Sequence, residues 1–207
     1  MPQGKLQMLV GKSALIINEM QLGVVDPAHA GFPGLANQVV ERGIAARIAQ
    51  LAAAFRGAGL PVFHTPVVHR PDLADVKANA LIHALTLKSG KMKEGSVEVQ
   101  YVPELQPAKG DFEIVRTSGM VSICATQLDA ILRRMAIETV VITGVSTNIG
   151  VAGNAIVAGE LGYHVVVPED CIAGSDPDVH KILVREQLRM VARIVTADDV
   201  ISSLPAG

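Results

Sequence analysis

Six short runs of β-branched and apolar residues punctuate this chain, and between successive runs the apolar residues recur at helical spacing. That alternation constrains the fold more than any other feature. Strands that are apolar throughout and separated by helices pair in parallel, with helices covering both faces of the sheet. The runs fall at residues 14–17, 61–65, 112–115, 139–143, 164–167 and 193–196. Helical stripes follow most of them. Ile44, Ile48, Leu51 and Phe55 form one, stopped by Gly57 and Gly59; Leu128, Ile131, Leu132 and Met135 form another. Residues 149–161, 179–190 and 197–204 complete the set, and residues 69–109 read as a long polar connection with a short helix near Ala80. The expected fold is a three-layer α/β/α domain with a six-stranded parallel sheet, one domain over residues 1–207.

Composition narrows the function. The chain has 207 residues, enough for a core that buries roughly 70% of the unfolded surface. A net charge of −2 without a run of like charges, and aromatics at 3% with no Trp, argue against nucleic acid or an anionic membrane as partner. No apolar run reaches the ~18 residues of a membrane span. The first residues lack the small-residue cleavage site of a signal peptide, so a cytoplasmic location is expected. Cys124 and Cys171 are too far apart and too isolated for a zinc site. No phosphate loop or nucleophile elbow is present, and no metal or other cofactor is expected. The expected partner is a small molecule.

In a parallel sheet of this kind the ligand lies beyond the carboxyl ends of the strands. Those ends carry Asn18-Glu19-Met20-Gln21, then His64 and Thr65 with His69 beyond, then Arg116, Thr117 and Ser118, then residues 144–150, and finally Glu169, Asp170 and Cys171. Glu19 reads either as an acid/base carboxylate or as a capping, salt-bridging one. The turn Gly144-Val145-Ser146-Thr147-Asn148-Ile149-Gly150 reads either as an anion or oxyanion site of backbone N–H groups or as an ordinary turn capped by Thr147 or Asn148. His64 and His69 are ligands, a base, or polar walls of a pocket. Cys124 reads as buried packing, and Cys171 as the thiol nearer the functional edge.

Taken together, these segments resemble the isochorismatase-like (cysteine) hydrolases. That family opens with a strand running into Asp-x-Gln, matched by residues 14–21, AlaLeuIleIleAsnGluMetGln. A segment ending Thr-x-Leu-Asp is matched by Thr126-Gln127-Leu128-Asp129. A Gly-Val-x-Thr-Asn-x-Cys turn is matched by residues 144–150, and Gly-Tyr-x-Val followed by Asp is matched by Gly162-Tyr163-His164-Val165 and Asp170. The resemblance covers residues 14–204. It implies a six-stranded parallel sheet, a cis peptide at Val145-Ser146, and assembly as a homodimer or homotetramer, which a mean hydropathy of +0.36 also suits.

The resemblance also places the family's Asp, Lys and Cys triad, and here the sequence departs from it. The Asp falls on Glu19, the Lys on Arg116 (or on Thr117 without a one-residue shift), and the Cys on Gly150. Without a thiolate no thioester forms at that position. True isochorismatases also carry Gly there, but in a Gly-Val-Tyr-Ala-His turn; the metal cluster of nicotinamidases is not matched. Three readings follow. The first is a hydrolase of a small anionic or amide-type metabolite, with Glu19 as acid or base and Arg116 and Gly150 completing the catalytic positions. His64 and Val145, Ser146, Thr147 and Asn148 would contact the substrate. The second is a catalytically silent binding protein, and the third is thiol catalysis moved to Cys171 or Cys124.

Overall fold

The computed structural model describes residues 8–117 and 120–205. The N-terminal stretch read for a signal peptide, up to residue 7, and Ser118 lie outside the described residues. The strands are β1 (Lys12–Asn18), β2 (Val62–Thr65), β3 (Phe112–Glu113), β4 (Ile137–Val145), β5 (His164–Pro168), β6 (Ile172–Ala173) and β7 (Arg193–Val195). They pair in parallel in the order β3-β2-β1-β4-β5-β7, and the two-residue β6 adds to the end of β4. The six-stranded parallel sheet expected from the sequence is present.

Alternation along β1 explains both layers. Leu15 and Ile17 face one side, where they pack with Ile48, Leu51 and Phe55 of helix α3 (Ile44–Gly57). Ala14 and Ile16 face the other, with Phe63, Leu128, Leu132 and Val151. All of these are buried to within 1% of full burial. At roughly 1.5–3 kcal/mol for each large apolar side chain, they hold helices against both faces. No helix among the described residues is long and apolar enough to cross a membrane.

Several elements differ from the sequence reading. Helices α1 (Leu22–Val25) and α2 (Pro33–Arg42) occupy a stretch that carried no assigned element; Pro33 at the first turn of α2 is the signal that marks its start. The short helix near Ala80 is α4 (Leu81–Ser89), none of whose residues is buried. α5 is Leu128–Arg134, and α6 (Ala152–Glu160) is entered through a wide π-helical turn, Thr147–Val151. Residues 179–190 do not form one helix: α7 (Pro177–Leu183) and α8 (Arg189–Val191) flank a second π segment, Val184–Leu188. The chain ends in α9 (Ala197–Ser202), whose Thr196 and Asp199 form a capping box. β3 ends two residues early, and Val115 is 55% exposed.

The chain runs outward from β1 through β2 to β3 and then crosses to β4 on the other side of β1. Strand order therefore reverses between β1 and β4, which is where such sheets bind ligands. At their carboxyl ends the two strands approach closely. Gly144 pairs with Asn18, has φ +91°, and a Cβ there would lie 2.1 Å from the Asn18 carbonyl oxygen. Gly144→Ala is expected to cost at least about 2 kcal/mol through positive φ and this collision. Gly159→Ala, on α6 with open space around it, is expected to be neutral or to stabilise by up to about 1 kcal/mol. Thermal unfolding of the two variants checks the contrast; equal effects would contradict it.

Candidate active site

Glu19 follows β1 directly and holds φ +52°, a left-handed conformation that L residues other than Asn and Asp rarely adopt. Its carboxylate forms an ion pair with Arg116, the guanidinium Nη2 donating to Oε1. Backbone pairing delivers the arginine. The Arg116 N–H donates to the Pro66 carbonyl (3.1 Å), and the Val68 N–H donates to the Arg116 carbonyl (3.0 Å), extending the β2–β3 pairing beyond the strands proper. The Arg116 side chain is 2% exposed and that of Glu19 20%. Thr117, the other position considered for the cation, is exposed. The pair unites residues 97 positions apart in the sequence.

The third element is the turn after β4. Its Val145-Ser146 peptide is cis, as the resemblance implied. Val145, Thr147 and Gly150 are buried, Ser146 is half-buried and Asn148 is exposed. The Ile149 and Val151 N–H groups both donate to the Ser146 carbonyl, at 3.2 and 2.9 Å, so these two are consumed within the turn. Neither Thr147 nor Asn148 caps the helix. Thr147 Oγ1 instead hydrogen bonds His180 Nδ1 at 2.8 Å, behind the turn.

A buried polar cluster joins these parts. Asn18 Nδ2 donates to the Val145 carbonyl (2.9 Å), and Thr65 Oγ1 donates to Asn18 Oδ1 (2.7 Å). Asn154 Nδ2 donates to the Gly150 carbonyl (2.7 Å), while its Oδ1 accepts from the Ile123 N–H (3.0 Å). Ser122 Oγ lies between the two amides, 3.3 Å from Asn18 Oδ1 and 3.1 Å from Asn154 Oδ1. Asn18 and Thr65 were visible as strand-end residues. Ser122 and Asn154 carried no signal, because a polar residue among small ones is read as a helix surface unless its burial is known.

Other expected site residues sit elsewhere. His64 is on the face of β2 opposite Thr65, with Nε2 3.0 Å from Asp111, which also holds Arg56. Burial pushes its imidazole below the ordinary range against the pull of Asp111. This side chain belongs to a buried ion-pair group rather than to the Glu19–Arg116 pair. His69 Nδ1 lies 3.4 Å from Asp75. Cys124 is exposed, not buried, because it precedes α5 in a loop; Cys171 is fully buried, and burial drives its thiol far above the ordinary value. Two surface depressions, of about 420 and 390 Å³, lie beside Leu9 and Ser203 and beside Arg42 and Thr196; neither is lined by Glu19, Arg116 or Gly150. Among the described residues no group of His, Cys, Asp and Glu is placed to hold a metal ion.

His180 is 1% exposed, with Nε2 3.8 Å from Glu169. Burial, reinforced by Arg42 and Lys181, pulls its imidazole down to about 4. The unfolded chain, with an ordinary imidazole, therefore binds a proton first as pH falls. Stability from this group is fully present above about pH 6.5 and declines down to about pH 4. Between pH 7 and 5 the wild type is expected to lose about 2 kcal/mol more than His180→Gln. Denaturant titrations at the two pH values check this; equal losses in both proteins would contradict it.

Residues 13–199 match the family model described as the isochorismatase domain. An uncharacterized isochorismatase family protein YecD of Escherichia coli O157:H7 is 30% identical over 199 residues, covering 96% of this chain and all of that one. The ureidoacrylate amidohydrolase RutB of Pseudomonas savastanoi pv. phaseolicola is 29% identical, covering 84% of this chain and 75% of that one. A crystal structure of an isochorismatase family protein from Desulfovibrio vulgaris superposes with a TM-score of 0.80 at 28% identity, covering 92% of this chain and 98% of that one. With strand order, cis turn and family match in agreement, the chain belongs to the isochorismatase family of hydrolases.

Proposed function

We propose that this protein hydrolyses a small anionic or amide-type metabolite by acid/base catalysis, with water rather than a cysteine as nucleophile. The observation that carries the reading is the Glu19–Arg116 pair at the switch point of the sheet. A carboxylate held in a left-handed backbone conformation costs roughly 1–3 kcal/mol, and such outliers concentrate at working sites. Glu19 would deliver or accept the proton. A guanidinium is a poor proton shuttle, so Arg116 would orient Glu19 and attract the substrate's negative charge. The amide class is supported by the similarity to a ureidoacrylate amidohydrolase. The positions assigned to the family triad would be Glu19, Arg116 and Gly150, and the turn residues Val145, Ser146, Thr147 and Asn148 would form the substrate wall. Of these, Ser146 and Asn148 have side chains with access to solvent. His64, bonded to Asp111 on the other face of β2, is left out of this wall. We further propose a cytoplasmic homodimer or homotetramer.

A panel of simple amides, carbamoyl compounds and isochorismate, assayed on wild type, Glu19→Gln and Glu19→Asp, tests the reading. Glu19→Gln is expected to lower kcat/KM at least ~10²-fold with the fold intact by circular dichroism. Glu19→Asp, which keeps the charge, is expected to retain measurable turnover. Undiminished turnover in folded Glu19→Gln would overturn it. The absence of a thiol at position 150 leaves a second reading, a catalytically silent binding protein that kept the pocket. Ligands that raise the wild-type Tm and are never turned over would be its signature.

A further inference from the structure

Gly150 stands where the family's nucleophilic thiol is assigned, and the space around it is occupied. A Cβ built on Gly150 would lie 2.4 Å from Asn18 Nδ2 and 2.7 Å from the Val145 carbonyl oxygen, closer than such contacts occur. These two obstacles are one, because the same Asn18 amide donates to the same Val145 carbonyl at 2.9 Å. The amide cannot swing aside cheaply. Its oxygen accepts from Thr65 at 2.7 Å, with Asn154 Nδ2 at 3.4 Å and Ser122 Oγ at 3.3 Å. Asn18, Thr65, Ser122 and Asn154 are all completely buried, and none has a buried polar atom left without a partner. A satisfied polar cluster in a dry interior resists displacement, since any movement leaves donors or acceptors unpaired.

We infer that Asn18 is a specificity-determining residue: its amide fills the nucleophile's volume, pins the Val145 carbonyl over it, and so commits the site to chemistry without a side chain at position 150. Loss of the thiol is then part of a refitted site. Asn18 immediately precedes Glu19, so the same clamp fixes the end of β1 from which the carboxylate projects. The inference uses the assignment of position 150 to the family nucleophile and is otherwise independent of whether Glu19 turns over a substrate.

A double-mutant cycle on the full-length protein tests it by thermal unfolding. Gly150→Ala is expected to lower Tm by roughly 3–10 °C in the wild-type background. In the Asn18→Ala background the same substitution is expected to lower Tm by less than half as much, because the nearer obstacle is removed and the Val145 carbonyl loses the bond that pins it. Gly150→Cys is run beside it. Should either position-150 variant fail to fold in the wild-type background, recovery of soluble protein in the Asn18→Ala background supports the inference. Failure in both backgrounds overturns it, as does an equal Tm loss in both. A Gly159→Ala control is expected to show the same effect in each background, separating a local clash from general weakening. These readouts need no substrate, so a failure here is distinguishable from a failure of the Glu19 assignment.

Discussion

The pairing of β1 with β4 is the contact on which the rest of the molecule depends. It runs the whole length of β1, from Lys12 to Asn18, with one irregularity at its start, and it marks the reversal of strand order. Because both strands are buried on both faces, a slip of one residue would turn Ile16 and Ile142 toward the layer built for Leu15 and Val141. The hydrophobic pattern therefore fixes register, and register fixes what stands at the carboxyl ends. Asn18 meets Gly144 so closely that only glycine fits, and Glu19 and the Val145-Ser146 turn emerge side by side.

From that frame the site assembles by extension. β2 lies beside β1 and carries Thr65 to Asn18, while the pairing past β3 carries Arg116 to Glu19. The two faces of the sheet end divide the work. On one, hydroxyls and amides close around Gly150 in a neutral hydrogen-bonded cluster; Asp111, Arg56 and His64 form a charged group on the other. Burying a neutral cluster with every group paired avoids the penalty of an isolated charge. The charged Glu19 remains at the edge, where solvent still reaches a fifth of its side chain.

How much of this was legible in the sequence follows from the same physics. Strands 14–17 and 139–143 stood out because both faces are buried and every position is apolar or β-branched. The βα order then implied the parallel sheet, and the motif order pointed to Glu19, Arg116 and the turn. What stayed hidden depends on orientation and burial, which one-dimensional patterns do not carry. His64 stands one residue from Thr65 and points the opposite way; spacing alone grouped both with the crevice. Asn154 sits in a small-residue helix and looks solvent-facing until α6 packs on the sheet. The break at Val184–Leu188 leaves the apolar spacing nearly unchanged, so periodicity ran one helix through it.

The central claim is that hydrolysis proceeds without a covalent enzyme intermediate. The direct measurement is intact-protein mass spectrometry of acid-quenched samples taken through the first turnovers of a hydrolysed substrate. The account predicts an unmodified chain at every quench time. An adduct of the substrate's acyl mass, on Cys124 or any other residue, would contradict it.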